Sequence, residues 1–191
     1  MPFIILIIYM AVALALQILM GNIPLSFLSF PLNLILALIW AVSMVSVWKV
    51  RRKSLFVEFM LSRGAAISSI VLFLGLALAV GISGIRNLVS TWVSAAVMLY
   101  FQTVLLFVIL RGWRAQTATG ARLGAVRWRF VLNHLGLLLA VSSAYWGAPD
   151  TEELRIRVSK DIPIREAYKI DGSSSWLPYE IILEEFKTET Y

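Results

Sequence analysis

The fold of this protein is decided by an uncharged apolar run, LVSTWVSAAVMLYFQTVLLFVIL (residues 88–110), in which Gln102 is the only strongly polar side chain. About 20 apolar residues are enough for a helix to cross the roughly 30 Å hydrocarbon core of a bilayer. Backbone N–H and C=O groups inside lipid have to be satisfied within their own segment. The run therefore predicts a transmembrane helix and not a strand.

Four further runs have the same character, and together with the first they predict spans at 3–20, 32–47, 65–85, 88–110 and 130–147. The composition agrees, because 60% of the residues are hydrophobic and only 15% are charged, against about 25% charged in soluble domains. We expect an all-α polytopic membrane protein with about five transmembrane helices, followed by a small or incomplete extracytoplasmic β-rich segment.

Two segments leave a choice open. Residues 3–20 carry small-x-small triplets like those of a cleaved signal peptide, but no basic region precedes them, so we interpret them as a retained helix. Residues 54–61 are apolar but too short to cross a bilayer. They either lie in the inner membrane interface or begin the third helix early.

The basic residues predict the orientation of the chain. Ten lie in the loops after the second and fourth spans, against Arg86 alone on the alternate side. They are Lys49, Arg51, Arg52, Lys53, Arg63, Arg111, Arg114, Arg122, Arg127 and Arg129. Because cytoplasmic loops carry an excess of Lys and Arg, we expect a multi-pass protein of the cytoplasmic (inner) membrane with a cytoplasmic N-terminus and an extracytoplasmic C-terminus.

A change of composition divides the chain into a transmembrane domain, 1–148, with net charge +10, and an extracytoplasmic segment, 149–191, with net charge −4. In that segment residues 154–158 alternate with period two, as a half-buried strand does, and 176–186 resume strand-like character. Pro178 predicts a strand start or an edge. So short a segment is near the limit of what folds unaided, so we expect the opening of a β domain.

Several classes of function are excluded or disfavoured. The chain has no cysteine and one histidine, which rules out disulfides, thiolate metal sites, cysteine nucleophiles and multi-histidine metal sites. No Asp, Glu, Lys or Arg lies inside a predicted span, which argues against an independent ion pump or proton-coupled transporter. The net charge of +6 is explained by membrane orientation, and we expect no nucleic-acid partner.

His134 is the candidate site residue, because it is the one histidine and lies inside the fifth span. It follows Arg129 by five residues, or about 7 Å of helix, which predicts a place in the inner leaflet. A neutral imidazole is a good axial ligand for haem iron. A structural histidine that hydrogen-bonds across helices, to Gln102 or to a backbone carbonyl, fits equally well. One histidine supplies one axial position, so a haem site needs a second ligand from elsewhere.

A stretch around this histidine, RFVLNHLGLLL (129–139) with YWGAPD (145–150), resembles the last helix before the extracytoplasmic domain of ResB-like proteins. These form the CcsB family of system II cytochrome c biogenesis. Two other stretches are similar to the same family: IDG (170–172) with LPYEIILEEFKTETY (177–191), and PLN (31–33) before the second span.

The resemblance implies a membrane subunit of a cytochrome c synthase complex. Such a subunit works with a CcsA-type (ResC) membrane protein, helps to export haem b as a transient substrate, and presents it to apocytochrome c for thioether attachment. The chain would then be at most part of a haem lyase, and by position His134 would be the axial ligand of the haem iron. The alternative is a non-catalytic membrane scaffold or accessory subunit that docks an extracytoplasmic redox partner.

Three departures accompany the resemblance. The tryptophan-rich WWD motif is absent, as expected if it belongs to the CcsA-type partner. Five spans precede the β segment where simpler members have three, and the closing transmembrane helix of familiar members does not follow it. The resemblance therefore implies a short or truncated form.

Overall fold

Apolar sequence forms long helices in the computed structural model, which describes residues 2–83, 88–118, 128–151, 153–169 and 172–187. The α-helices of these ranges are α1 (Pro2–Met20), α2 (Leu32–Val50), α3 (Leu55–Met60), α4 (Arg63–Ser83), α5 (Trp92–Ala118) and α6 (Trp128–Gly147). Short 3-10 turns occupy Leu25–Leu28 and Ala148–Asp150. Two strands follow, β1 (Ile164–Tyr168) and β2 (Ser174–Ile181).

All of these helices except α3 are long and apolar enough to cross a membrane, which makes five candidate spans among the described residues. The predicted fold class is confirmed. The fourth span begins later than predicted, at Trp92, because Thr91 caps it and accepts a hydrogen bond from the Ser94 N–H at 3.1 Å. The same helix continues to Ala118, beyond the predicted end at 110. The predicted loop residues Arg86, Arg122 and Arg127 lie outside the described residues.

Helix α5 is the central helix of the bundle. About 67% of its span is buried, against 6% to 11% for the other four spans. Helices α1, α4 and α6 each pack against α5, whereas α2 packs against α6. The outer helices instead expose large apolar side chains such as Leu19, at 81%, and Ile82, at 83%. Such surface would aggregate in water and suits contact with lipid.

Residues 54–61 contain a separate short helix, α3, and not an early start of the third span. The Ser54 hydroxyl caps α3 by accepting from the Val57 N–H at 3.3 Å, and the Ser62 hydroxyl caps α4 by accepting from the Ala65 N–H at 3.1 Å. Each hydroxyl therefore caps the start of its own helix, and the chain begins a new helix at Arg63 in place of continuing α3. Phe59 and Val57 are buried, so α3 is held by one apolar face.

The end of α1 is joined to the start of α5 by side-chain and backbone hydrogen bonds. The Gln17 amide oxygen accepts from the Trp92 N–H at 2.8 Å, and its amide nitrogen donates to Asn22 Oδ1 at 2.8 Å. The Ile23 N–H donates to the Ser90 carbonyl at 2.7 Å. Gln17, the polar interruption of the first apolar run, therefore satisfies a free N–H at the first turn of α5.

The described residues divide into two units, Met1–Asp150 and Thr151–Tyr191, and the second is an antiparallel two-stranded sheet with flanking chain. The strand predicted at 154–158 is wrong, because there only Arg155 pairs, through an isolated bridge to Tyr168. Residues 154–158 therefore run beside β1 at this one point and do not form a continuous set of strand hydrogen bonds.

Pro178 lies inside β2 and not at the start of a strand. It falls in an irregular stretch between Trp176, which pairs with Glu166, and Ile181, which pairs with Ile164. Proline has no N–H to donate, so a bulge in a two-stranded sheet, where each strand is an edge, is where it is tolerated. Among the described residues of this unit, Ala167 is the one apolar side chain that is fully buried.

Candidate functional site

His134 lies in the second turn of α6 and is half-buried. Its Nδ1 is 2.8 Å from the Phe130 carbonyl oxygen, one turn earlier on the same helix. The two rings lie against one another, with centroids 4.1 Å apart and planes tilted by 36°. The backbone carbonyl of α6 itself, and not a group on a neighbouring helix, is thus the hydrogen-bond partner of this imidazole.

This hydrogen bond fixes which nitrogen of His134 carries the proton. A carbonyl oxygen can only accept, so Nδ1 is the donor, and in the neutral ring Nε2 then holds the lone pair. Histidines that bind a metal through one nitrogen usually donate the other N–H to a carbonyl or carboxylate in this way. The imidazole of His134 is therefore oriented as in a metal-ligand histidine. The same hydrogen bond is equally consistent with a structural histidine.

Gln102 is bound elsewhere and is not the partner of His134. It is fully buried in α5, and its Oε1 accepts from Trp146 Nε1 at 3.3 Å and from the Ser142 hydroxyl at 3.4 Å, both on α6. Its Nε2 is buried without a hydrogen-bond partner among the described residues. The one amide of this span thus joins α5 to α6, about three turns of α6 away from the histidine.

Asn33 extends these contacts to α2. It is 5% exposed, and its Nδ2 donates to the Trp146 carbonyl at 2.8 Å and to Asp150 Oδ2 at 2.6 Å. The other oxygen of Asp150 accepts from the Phe30 N–H at 2.7 Å. Through the side chain and the backbone carbonyl of Trp146, the residues Asn33, Gln102, Ser142, Trp146 and Asp150 form one connected set, which we call the polar network.

The polar network is a feature that sequence reasoning did not find. In the sequence Asn33 stands out only as part of the PLN stretch, and Asp150 falls within the acidic C-terminal segment. The signal available was an amide in the first turn of one span and a carboxylate just after the end of another. Antiparallel packing of α2 and α6 brings the two together over a sequence separation of 117 residues.

Basic side chains gather at the other end of the bundle. We call this the basic end; it comprises Lys49, Arg51, Arg52, Lys53, Arg63, Arg111 and Arg129. The Arg52 guanidinium lies 4.7 Å over the Trp48 ring, and Arg111 donates to the Leu61 carbonyl at 3.4 Å. His134 is nearer to the basic end, and the polar network lies at the opposite end, because α6 starts at one and finishes at the other.

Within the described ranges, no three His, Asp or Glu side chains lie close enough together to hold a metal ion. Comparison of the chain with protein-family models, curated proteins and solved structures gives no match. The fold and composition define the class: this is a helical multi-pass membrane protein with a small C-terminal β unit.

Proposed function

We propose that this chain is the haem-handling membrane subunit of a cytochrome c synthase complex. In this proposal it helps to export haem b and presents it to apocytochrome c for thioether attachment, together with a CcsA-type partner. The resemblance to ResB-like proteins over 129–191 supports the proposal. The structural observation that carries it is the hydrogen bond from His134 Nδ1 to the Phe130 carbonyl, which leaves Nε2 with the lone pair that iron needs.

His134 would bind the iron of haem as one axial ligand, and haem is the substrate and not a resident cofactor. Side chains beside the imidazole suit the apolar faces of a porphyrin. Phe130 lies one turn before the histidine, and Leu137, nearly one turn after it, is 46% exposed. Since His134 is the one histidine of the chain, the second axial ligand would come from the CcsA-type partner.

The orientation proposed from the sequence determines the side of the membrane to which His134 is nearer. Cytoplasmic loops are rich in Lys and Arg, so the basic end would face the cytoplasm and the unit 151–191 would be extracytoplasmic, in the cytoplasmic (inner) membrane. His134 would then lie in the inner leaflet, about 7 Å along α6 from Arg129. That depth suits the reception of haem from the cytoplasmic side.

The test is substitution of His134 in the complex with its CcsA-type partner. His134→Ala should remove most of the haem that co-purifies, measured by a pyridine haemochrome spectrum, and should stop cytochrome maturation while the chain still inserts. Asn133→Ala is the matched control, because Asn133 is the exposed neighbour on the same turn. His134→Gln keeps a hydrogen-bonding side chain but binds iron very poorly. Retention of haem and activity by this variant would show that the histidine is structural.

A second candidate is a non-catalytic scaffold whose C-terminal unit docks an extracytoplasmic redox protein. The observation that favours it is apolar surface on that unit, where Trp176 is 75% exposed and Phe186 is 76% exposed. In the part of the chain that the structure describes, β2 also has an unpaired edge, which invites pairing with another chain, whereas the outer edge of β1 is bridged by Arg155 at Tyr168. For a scaffold, Trp176→Ser with Phe186→Ser should abolish cytochrome maturation, whereas His134→Gln should not affect it.

A further inference from the structure

A cavity of about 220 Å³ lies inside the bundle between α1 and α2, with α5 behind it and α3 closing it towards the basic end. Helix α1 packs against α5 and α2 packs against α6, so the gap between α1 and α2 is the side of the cavity that faces away from the bundle. Tyr9 lines the cavity and is also 37% exposed, so the cavity reaches the outer surface of the bundle.

The wall of this cavity is apolar, and its hydroxyl groups are already used. The Tyr9 hydroxyl donates to the Ala96 carbonyl at 3.0 Å, and the Thr103 hydroxyl donates to the Leu99 carbonyl at 2.7 Å. Tyr100 donates to the backbone of α4 at 3.2 Å. The remaining polar group of the lining is the Trp40 indole N–H. Engineered apolar cavities of about 150 Å³ stay dry and bind apolar molecules. A wall with so little polar surface favours a hydrocarbon group as the occupant.

Positive charge lies just beyond α3, at the basic end. Met44 lines the cavity, and Lys49 follows it by five residues, or about 7 Å along α2. Arg52 lies against Trp48 in the next turn, and Lys53 follows it. The sequence from 1 to 148 contains one acid, Glu58, against eleven bases, so this region is strongly cationic.

We propose that the cavity holds one acyl chain of an anionic phospholipid whose headgroup binds at the basic residues that follow α2. The acyl chain is an apolar occupant of the right kind. The basic residues lie about 7 Å further along α2, at the depth expected for the charged headgroup of the same lipid. A prenyl chain would also fill the cavity, but it would not explain the basic residues beside it. A basic residue near an anionic lipid surface strengthens binding by about fivefold.

The experiment measures lipid retained by the full-length protein after purification from vesicles of equal parts phosphatidylglycerol and phosphatidylcholine. Lipid is counted by native mass spectrometry. One phosphatidylglycerol should remain bound per chain, in preference to phosphatidylcholine. Met44→Trp should fill the cavity and remove most of the retained lipid, because the indole occupies the space that the acyl chain needs. Val42→Trp is the control, since Val42 is 65% exposed on the same helix and does not line the cavity.

The charge is tested separately by Arg52→Gln with Lys53→Gln, which should lower the preference for phosphatidylglycerol by about fivefold for each residue. Arg129→Gln, a basic-end residue on α6, should leave that preference unchanged. Leu6→Phe is a milder filling variant in case Met44→Trp does not insert. The proposal is overturned by equal retention of the two lipids, by unchanged retention in a filling variant that inserts, or by an isoprenoid in place of the phospholipid. None of these results bears on haem binding at His134.

Discussion

Removal of Asn33 tests whether the polar network holds α2 to α6. Asn33→Ala deletes the amide that donates to the Trp146 carbonyl at 2.8 Å and to the Asp150 carboxylate at 2.6 Å. The contact of Asp150 with the Phe30 N–H at 2.7 Å is untouched by this change. The variant therefore separates the contacts that Asn33 of α2 makes with the end of α6 from the contact that the Phe30 N–H, before α2, makes with Asp150.

The magnitude follows from the character of the two bonds. A hydrogen bond to a charged group contributes about 1.5–3 kcal/mol, but Asp150 is exposed, and solvent screening lowers this to about 1 kcal/mol. A hydrogen bond between transmembrane helices contributes about 0.6 kcal/mol. Asn33→Ala should therefore lower the free energy of unfolding by about 1.5–2 kcal/mol.

The assay is reversible unfolding in mixed detergent micelles, with Asn133→Ala as the control because that amide is exposed on α6. A double-mutant cycle between Asn33→Ala and Asp150→Ala should give a coupling free energy of about 1 kcal/mol, since the two side chains share one bond. A loss no larger than that of the control, or a coupling free energy near zero, would refute the assigned role.

Three other predictions concern separate parts of the chain. Gly112→Ala should lower stability by about 1–3 kcal/mol, because a Cβ there would lie 2.6 Å from Phe130 Cε1 and the ring has to move; thermal unfolding measures it. A peptide of 149–191 should be largely unfolded by circular dichroism, because two strands with so little buried surface are marginal alone. A reporter that is active only outside the cytoplasm should work when inserted within 22–30 and fail at 115–120.

Each of these predictions has a contradicting result. Gly75→Ala is the control for the glycine, since a Cβ at Gly75 meets no atom within 4 Å; equal stability of the two variants would contradict a close approach of α5 and α6. A cooperative thermal transition of the isolated peptide would show that the β unit folds by itself. Reporter activity at 115–120 would overturn the five-span orientation.

The spans could be predicted because hydrophobic length alone determines them, whereas the helix ends depend on single side chains. Helix α5 begins at Trp92, and not at the predicted residue 88, because Thr91 caps it. In the C-terminal unit, the alternation at 154–158 predicted a strand in the wrong place. The real strand, Ile164–Tyr168, shows no alternation in its sequence, because Arg165 and Glu166 are consecutive charged residues and Glu166 and Ala167 both turn away from solvent.

The candidate site residue could be named from the sequence, but its contacts could not. Sequence singled out His134, since one imidazole inside an apolar run stands out without any structure. Its bond to the Phe130 carbonyl could not be chosen over a bond to Gln102, because both satisfy the same donor. The contact of Asn33 with Asp150 depends on how α2 and α6 pack. No local pattern encodes that packing.

The burial of α5 has a consequence for biosynthesis. Helices α1 and α4 both pack on α5, yet α5 is the fourth span to leave the ribosome. From the end of α1 to the end of α5 the ribosome adds about 100 residues, which takes roughly 5–20 s at 5–20 residues per second. During that interval α1 lacks its main packing partner and depends largely on its own hydrophobicity to stay in the lipid. The sequence of α1 is apolar apart from Gln17, and nearly all of its surface is exposed outside the bundle. Both properties suit a helix that inserts before α5 is made.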